Sequence, residues 1–210
     1  MCGRMSITQP PEAMARLFDA AVANDLPVVP NYNVRPTVNI HTVTSAQGTR
    51  HLKAMRWGFV PHWYKSMTGG PLLINARSET IAEKPAFREA CRLRRCLIPA
   101  DGFYEWSRKS GRPPIAYRVT RSDRQPMAMA GIWQDWESAG TRIKTCAIVT
   151  TEANTAMAKI HHRLPVILGP EHWSLWLGEV GKGAAKLLHP VADEALEICR
   201  VSVAVNSNRA

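Results

Sequence analysis

Short apolar runs separated by turn residues constrain the fold of this 210-residue chain more than any other feature. Runs of this kind, bounded by Gly, Pro, Asn and Asp, are typical of β-strands. We predict strands at residues 49–60, 72–74, 95–99, 103–106, 115–119, 127–133, 143–150 and 196–205. Strands and helices do not alternate regularly. The sequence therefore predicts one α+β domain over residues 1–210, with mainly antiparallel, curved sheets in a barrel-like core and a few flanking helices.

Helices are predicted at a few places only. One runs from Pro10-Pro11 to about residue 24, with proline at its start and apolar residues at helical spacing. Those apolar residues are Met14, Leu17, Phe18, Ala21 and Val22. Residues 151–159 and the segment around Trp176 are also predicted helical. Ser78 is placed to cap a helix after the strand at 72–74, and residues 109–114 are predicted to form a hairpin turn.

The charge of the chain indicates the kind of partner it has. Lys and Arg number 27 and Asp and Glu number 17, which gives a formal net charge of +10. Such a surface favours a polyanionic partner. The basic residues are interspersed along the chain, as on a folded surface rather than in a tail.

The cysteines indicate the compartment. Their number, five, is odd, and no apolar signal segment precedes them, which favours a reducing cytoplasmic location without disulfides. They are Cys2, Cys91, Cys96, Cys146 and Cys199. No Cys-x-x-Cys pair is present, so we expect no metal site and no cofactor. No apolar run reaches membrane-spanning length, so we expect no membrane partner.

The first four residues, Met1-Cys2-Gly3-Arg4, contain a candidate reactive group. Removal of Met1 would give Cys2 a free α-amine beside its thiol. An unperturbed α-amine has a pKa of about 7.7–8.0 and a cysteine thiol about 8.5, so both nucleophiles are available near neutrality. An amide or ester carbonyl and an aldehyde are both suitable electrophiles. With an aldehyde, the amine forms an imine and the thiol closes a thiazolidine ring. A cysteine in second place by chance is the simpler interpretation.

Polar residues near predicted strands are further candidates. Asn75 and Arg77 follow the apolar strand at 72–74, where turn chemistry is the alternative. Glu105 stands among Phe103, Tyr104 and Trp106, and a carboxylate desolvated by aromatic rings suits proton transfer. Pairing of Glu105 with an arginine is an equally good interpretation.

Two tryptophans and two histidines complete the candidates. Trp57 and Trp63 flank a glycine and a proline, so they either pack in the core or stack on the bases of single-stranded nucleic acid. His161 and His162 precede Arg163 and a strand. No further ligands stand at helical spacing from the histidines, so a metal site is not predicted there.

Five separated stretches together resemble the SRAP (SOS response-associated peptidase) family, in the family's order and over nearly the whole chain. They are Met1-Cys2-Gly3-Arg4, Trp57-Gly58-Phe59-Val60-Pro61, Asn75-Ala76-Arg77-Ser78-Glu79-Thr80, Gly102-Phe103-Tyr104-Glu105-Trp106 and His161-His162-Arg163-Leu164-Pro165. Two positions depart from the family pattern. Leu164 stands where methionine is common, and Arg35 stands where a small residue is usual.

The resemblance implies a function in the DNA damage (SOS) response. Such proteins bind abasic sites in single-stranded DNA and shield them as a covalent thiazolidine crosslink to the N-terminal cysteine. They are also proposed to release their own Met1 as a peptidase. By resemblance, Cys2 is the nucleophile, Asn75 positions the terminus and the opened sugar, and Glu105 and His161 move protons. The implied DNA-binding residues are Arg4, Arg77, Arg163, Trp57, Trp63 and Ser78.

Two other functions remain open at this point. An N-terminal-nucleophile cysteine amidohydrolase of the glutaminase type would also begin Met-Cys-Gly, although its companion motifs are absent here. A non-covalent module for single-stranded DNA would need only Trp57, Trp63 and the arginines. We expect a monomer that is cytoplasmic, and at the nucleoid when bound to DNA.

Overall fold

The computed structural model describes residues 2–23, 25–107 and 113–207. These residues form thirteen strands and four α-helices, which confirms the predicted α+β class. The strands are β1 (Met5–Ile7), β2 (Ala20–Val22), β3 (Asn31–Val34), β4 (Asn39–Ala46), β5 (Thr49–Trp57), β6 (Asn75–Arg77), β7 (Arg95–Ala100), β8 (Gly102–Ser107), β9 (Ile115–Arg121), β10 (Met127–Ser138), β11 (Thr141–Glu152), β12 (Arg163–Pro165) and β13 (Leu196–Arg200). The helices are α1 (Pro11–Phe18), α2 (Arg88–Leu93), α3 (Thr155–Ala158) and α4 (Pro170–Leu177).

The larger sheet closes into a barrel. Its eight strands have the order β12-β11-β10-β7-β4-β5-β2 with β6 paired to β11, and most neighbours are antiparallel. A parallel pairing of β11 with β5, at Thr145↔Arg56 and Cys146↔Trp57, joins the two ends of the path β11-β10-β7-β4-β5. Closure removes the exposed edges of these five strands and leaves an interior for apolar side chains. Val43, Leu97 and Ile148 are among the side chains fully buried in this core.

The smaller sheet holds the N-terminal strand in its interior. Its order is β13-β9-β8-β1-β3, so β1 lies between β8 and β3. The register Met5↔Phe103 and Ser6↔Gly102 runs residues 2–4 alongside the middle of β8. The Tyr104 amide N–H donates to the Arg4 carbonyl at 2.8 Å. The start of the chain is therefore fixed beside Glu105.

Glycine is required where β8 begins. A Cβ at Gly102 would lie 2.5 Å from the Val119 carbonyl oxygen and 2.9 Å from the Thr120 side chain. Real Cβ atoms do not approach a backbone oxygen so closely. The missing side chain lets β9 approach β8 and keeps Glu105 in register with β1.

Two helices are shorter than the sequence predicts. α1 ends at Phe18 because Asp19 adopts a left-handed conformation with φ of 49°. Ala21 and Val22, predicted on the helix, instead lie in β2, which pairs in parallel with β5. In the predicted helix at 151–159, the first two residues continue β11, and Asn154 caps the single turn of α3 by accepting from the Met157 amide. Pairing with a neighbouring strand overrides the apolar periodicity in both places.

The segment around Ser78 also differs from prediction. Strand β6 covers Asn75–Arg77 rather than 72–74, and turns rather than a helix follow Ser78 until α2 begins at Arg88. The Ser78 amide donates to the Thr150 carbonyl at 2.8 Å. Asn75 and Arg77 are thus strand residues with fixed directions. The predicted turn at 109–114 falls almost entirely outside the described residues.

The strand predicted at 196–205 is shorter too. β13 ends at Arg200, and Val203–Asn206 form one turn of 3-10 helix that Ser202 caps. In the part of the chain that the structure describes, no helix is long and apolar enough to cross a membrane.

Candidate active site

A cavity of about 550 Å³ opens beside the N-terminal strand. Three segments surround it: the residues before β1, strand β8, and the loop between α3 and β12. Its lining residues are Gly3, Arg4, Glu105, Trp106, Ala158, Ile160, His161 and His162. The fold therefore joins three of the motifs that the sequence places far apart.

Cys2 directly precedes the lining residues Gly3 and Arg4 and is held by its backbone. Its side chain is 1% exposed, and its carbonyl oxygen accepts a hydrogen bond from Asn75 Nδ2 at 3.0 Å. Asn75 itself is fixed because β6 pairs in parallel with β11, opposite Ile148. Asn75 Oδ1 is buried and has no hydrogen-bond partner among the described residues. Asn75 thus positions Cys2 and keeps one acceptor for a further donor.

The Cys2 thiol is buried while Met1 is attached. Burial raises the pKa of the Cys2 thiol well above its ordinary value, and the negative charge of Glu105 adds to the effect, whereas the N-terminal amine of the chain opposes it. The thiol is consequently protonated at neutral pH in this state. The expectation of a usable thiolate fraction concerns the terminus after removal of Met1 and stays a prediction.

Glu105 lies between Cys2 and His161. It is 4% exposed on β8, next to the fully buried Phe103, so the predicted burial among aromatic residues is observed. Its charge acts on both the Cys2 thiol and the His161 ring. A buried carboxylate whose charge reaches two proton carriers is a candidate for proton transfer.

The protonation state of His161 follows from its surroundings. Burial lowers the pKa of His161, and Glu105 opposes this in part. Its Nδ1 accepts the Arg163 amide N–H at 3.0 Å, which assigns the proton of the neutral ring to Nε2. The ring stacks on His162 with 4.4 Å between centroids. His161 is therefore a neutral imidazole with an Nε2–H donor.

Arg163 has a different place from the one predicted. It is 7% exposed, and its Nη1 and Nη2 donate to the two carboxylate oxygens of Glu79 at 2.8 and 2.9 Å. Its Nη2 also donates to the Thr150 carbonyl at 2.6 Å. The planar guanidinium is already engaged by a carboxylate in this conformation, and phosphate binding by Arg163 stays a prediction. Arg163 anchors the loop that carries His161.

The two tryptophans predicted to bind DNA differ in their exposure. Trp57 is 0% exposed and its Nε1 donates to the Ile74 carbonyl at 3.0 Å, so the prediction of base stacking by Trp57 is wrong. Barrel closure at Cys146↔Trp57 is what buries this ring. Trp63 is 48% exposed and packs edge-on against His62 and Tyr64, so its face remains available.

The remaining predicted DNA ligands lie nearer the surface. Arg77 is exposed at the end of β6, two residues from Asn75, and Ser78 is partly exposed beside it. Arg4 lines the cavity, where its Nη1 donates to Asn33 Oδ1 at 2.6 Å and to the Val205 carbonyl at 2.8 Å. Its guanidinium carbon is 5.9 Å from the Trp106 ring centroid.

Sequence reasoning missed two contributors to the cavity. Trp106 lines the wall, and its place two residues after the buried Tyr104 on β8 was the only available signal. The segment 202–207 touches Arg4 and Trp106, which lie 201 and 100 residues away from their partners along the chain. No local pattern reveals such a contact.

A second cavity, of about 650 Å³, lies beside α1 and the β4–β5 turn. Two of its charged lining residues, Arg50 and Glu179, are joined in a bidentate pair at 2.8 Å, which holds the pKa of Glu179 at about 2. Ser174 and the Phe18 carbonyl accept further bonds from Arg50. These groups connect α1, α4 and β5, so we regard this cavity as structural. The described ranges contain no cluster of three or more His, Cys, Asp or Glu suited to a metal ion.

Comparison with known proteins decides the family. The family model for SOS response associated peptidase (SRAP) matches residues 1–208. This chain belongs to the SRAP family. The resemblance carried by the five sequence stretches is thereby confirmed.

Relatives of this SRAP protein bear a common name. The abasic site processing protein YoaM of Bacillus subtilis is 37% identical over 214 residues, which cover 99% of this chain and 93% of the relative. The abasic site processing protein HMCES of Rattus norvegicus is 32% identical over 261 residues, covering 100% of this chain and 73% of the relative. A crystal structure of a protein from Bacteroides thetaiotaomicron superposes with a TM-score of 0.86 at 27% identity, covering 96% of this chain and 92% of that one.

Proposed function

We propose that this SRAP protein processes abasic sites in single-stranded DNA and captures them as a covalent thiazolidine through Cys2, shielding the lesion. The observation that carries the proposal is a connected set of four residues beside one cavity. Glu105 and His161 line the cavity, the charge of Glu105 acts on both His161 and Cys2, and Asn75 hydrogen-bonds the Cys2 carbonyl. The names of the relatives support the substrate, and the net charge of +10 suits a polyanion.

The proposed steps follow from the chemistry of a 1,2-aminothiol. The α-amine exposed by loss of Met1 attacks the aldehyde carbon first. Loss of one water gives the imine. The thiol sulfur then adds to the imine carbon while its proton is transferred to nitrogen, with Glu105 as the relay. Asn75 Oδ1, which is buried without a partner in the described chain, is placed to accept an N–H of the amine.

Glu105 and His161 also serve the preceding step. The abasic sugar is a closed hemiacetal and must open to an aldehyde. Opening needs a base at the anomeric hydroxyl and an acid at the ring oxygen. Glu105 fits the first role and the His161 Nε2–H fits the second. Loss of the base makes this nucleotide easy to turn out of the strand, so recognition needs no sequence readout.

In this proposal, the DNA contacts come from Arg4 at the cavity and from residues exposed elsewhere on the surface. Arg77 and Arg4 bind phosphates, Ser78 hydrogen-bonds the backbone, and Trp63 stacks on a base. The protein acts as a cytoplasmic monomer without cofactor or metal. Chemically, the activity is lyase-like.

The mechanism requires that Met1 be removed, because an amide nitrogen does not form an imine. By family resemblance, the protein releases Met1 itself as a cysteine-type autopeptidase. The test is intact mass measurement after synthesis with methionine aminopeptidase inhibited. Loss of Met1 from the wild type but not from Cys2→Ala supports self-processing, and retention in both refutes it.

A denaturing gel tests the covalent step. The methionine-trimmed protein is mixed with single-stranded DNA that carries one abasic site or none. We expect a shifted band only with the abasic strand and only with Cys2 intact, so that Cys2→Ala gives none. Association without a stable band, unchanged in Cys2→Ala, would indicate the non-covalent module instead. Ammonia release from glutamine would indicate the amidohydrolase.

The same gel, together with a measurement of DNA affinity, tests the role of Glu105 in proton transfer. Glu105→Gln keeps the shape of the side chain and removes the carboxylate. We expect slower adduct formation on abasic DNA, with the affinity for undamaged single-stranded DNA nearly unchanged. Equal losses in rate and affinity would show that Glu105 is structural.

A further inference from the structure

The segment Ser202–Ser207 lies against the wall of the candidate active site. Asn206 Oδ1 accepts from Trp106 Nε1 at 2.7 Å, and the Val205 carbonyl accepts from Arg4 Nη1 at 2.8 Å. Asn33 Nδ2 donates to the Ser207 carbonyl at 3.0 Å. Two of the residues so engaged, Arg4 and Trp106, line the cavity itself.

Arg4 has no carboxylate partner in the described chain. Its acceptors among residues 2–23, 25–107 and 113–207, Asn33 Oδ1 and the Val205 carbonyl, are both neutral, and its Nε is buried there with no hydrogen-bond partner. Burial and the nearby Arg35 both lower the pKa of Arg4, which shows that its positive charge is poorly compensated. A cation in this state gains from exchanging a carbonyl oxygen for an anionic oxygen.

The segment is attached weakly and from one side. β13 pairs with β9 up to Arg200, and the Val201 amide donates to the Ala116 carbonyl at 3.0 Å. Beyond Val201, no described residue of the segment belongs to the buried core, and Val203 is 71% exposed. Polar contacts of this kind exchange readily with water or with another ligand. The sheet can therefore stay intact while the segment moves.

We propose that Ser202–Ser207 is a displaceable strap. In its closed state, the Val205 carbonyl accepts from Arg4 at the position where a phosphate oxygen of single-stranded DNA would bind. The closed strap holds Arg4 and Trp106 in position and reduces affinity for DNA that is not firmly bound elsewhere. Binding of the DNA backbone displaces it, with Val201 as the pivot. This inference rests on the proposed DNA-binding function of the site.

Two variants within the strap test the competition. Asn206→Ala removes the bond to Trp106 and changes no residue of the cavity. Val203→Ala is the matched control, because this exposed side chain does not contact the site. Fluorescence anisotropy with undamaged single-stranded DNA measures non-covalent affinity. We expect Asn206→Ala to bind about threefold to tenfold more tightly, as for loss of one hydrogen bond from the closed state, and Val203→Ala to match the wild type. Equal or weaker binding by Asn206→Ala would overturn the strap.

Hydrogen exchange of the wild-type protein gives a second measurement. Addition of the same undamaged DNA should speed exchange in residues 202–207. Slower exchange there would mean that DNA lies over the segment and leaves it in place, which also overturns the proposal. Covalent capture is scored separately on abasic DNA. A strap effect without any adduct would refute only the proposed chemistry, and an adduct without a strap effect would refute only the strap.

Discussion

Arg163 and Arg4 are both predicted DNA-binding residues, and they differ in what compensates their charge. The guanidinium of Arg163 is bound by both carboxylate oxygens of Glu79, whereas that of Arg4 is bound by an amide and a backbone carbonyl. By family resemblance, Arg163 is a phosphate ligand and Arg4 a weaker candidate. The difference shows that an arginine beside a nucleic-acid site is either a support or a ligand, according to whether the protein already supplies its anion.

Replacing Arg163 should give the largest effect on stability. Arg163→Ala leaves the Thr150 carbonyl and Glu79 without their donor and releases the loop that carries His161. We expect a loss of about 2 kcal/mol in the free energy of unfolding, less than for a fully buried pair because Glu79 is partly exposed. Urea denaturation measures it. A change as small as that of Arg4→Ala would break the distinction between the two arginines.

Acid should weaken the contribution of the Arg163–Glu79 pair to stability. The bond from Arg163 holds the pKa of Glu79 below its usual range. The pair therefore stabilises the fold above the unfolded pKa of about 4.3 and loses this contribution as pH falls through the lower folded pKa. Glu79→Gln should flatten the stability profile in that acidic window and leave it nearly parallel to the wild type near pH 7. Unfolding curves collected from pH 7 to pH 3 would show it, and an unaltered acid profile would contradict the pairing.

Replacing Arg4 should change stability least and DNA binding most specifically. Arg4→Ala loses hydrogen bonds to neutral acceptors only, so we expect less than about 1 kcal/mol of destabilisation. If Arg4 binds one phosphate, the slope of log affinity against log salt should become shallower by about 0.7. The affinity for undamaged single-stranded DNA, measured over a range of salt concentrations, gives this slope for Arg4→Ala and for Arg163→Ala refolded at low temperature. An unchanged slope in Arg4→Ala would remove Arg4 from the DNA interface.

Much of the fold and of the site could be predicted because short stretches of the sequence determine it. The apolar runs around Cys96 and Ile148 predict strands that the structure contains, and the motifs bearing Cys2, Asn75, Glu105 and His161 predict residues that it brings together. The family is shown, while the roles of these residues remain predictions.

The features that the sequence did not predict depend on long-range contacts. Trp57 is buried because β5 closes on β11, and Arg163 is paired because Glu79 approaches from 84 residues away. The protonated state of the Cys2 thiol follows from burial that no local spacing encodes. Helix α1 is shorter than predicted because Ala20–Val22 pair with β5 as a strand. Each depends on tertiary pairing rather than on composition or periodicity.

Covalent capture through both groups of Cys2 is the central claim, and reductant dependence tests it most directly. The methionine-trimmed wild type and Cys2→Ser are each incubated with abasic single-stranded DNA, with and without borohydride, and analysed by denaturing gel and intact mass. Borohydride traps an imine, whereas a thiazolidine needs no trapping. We predict a wild-type adduct that survives without reductant at the summed mass less one water, and a Cys2→Ser adduct seen only with borohydride. Identical reductant dependence in the two proteins would contradict ring closure by the thiol.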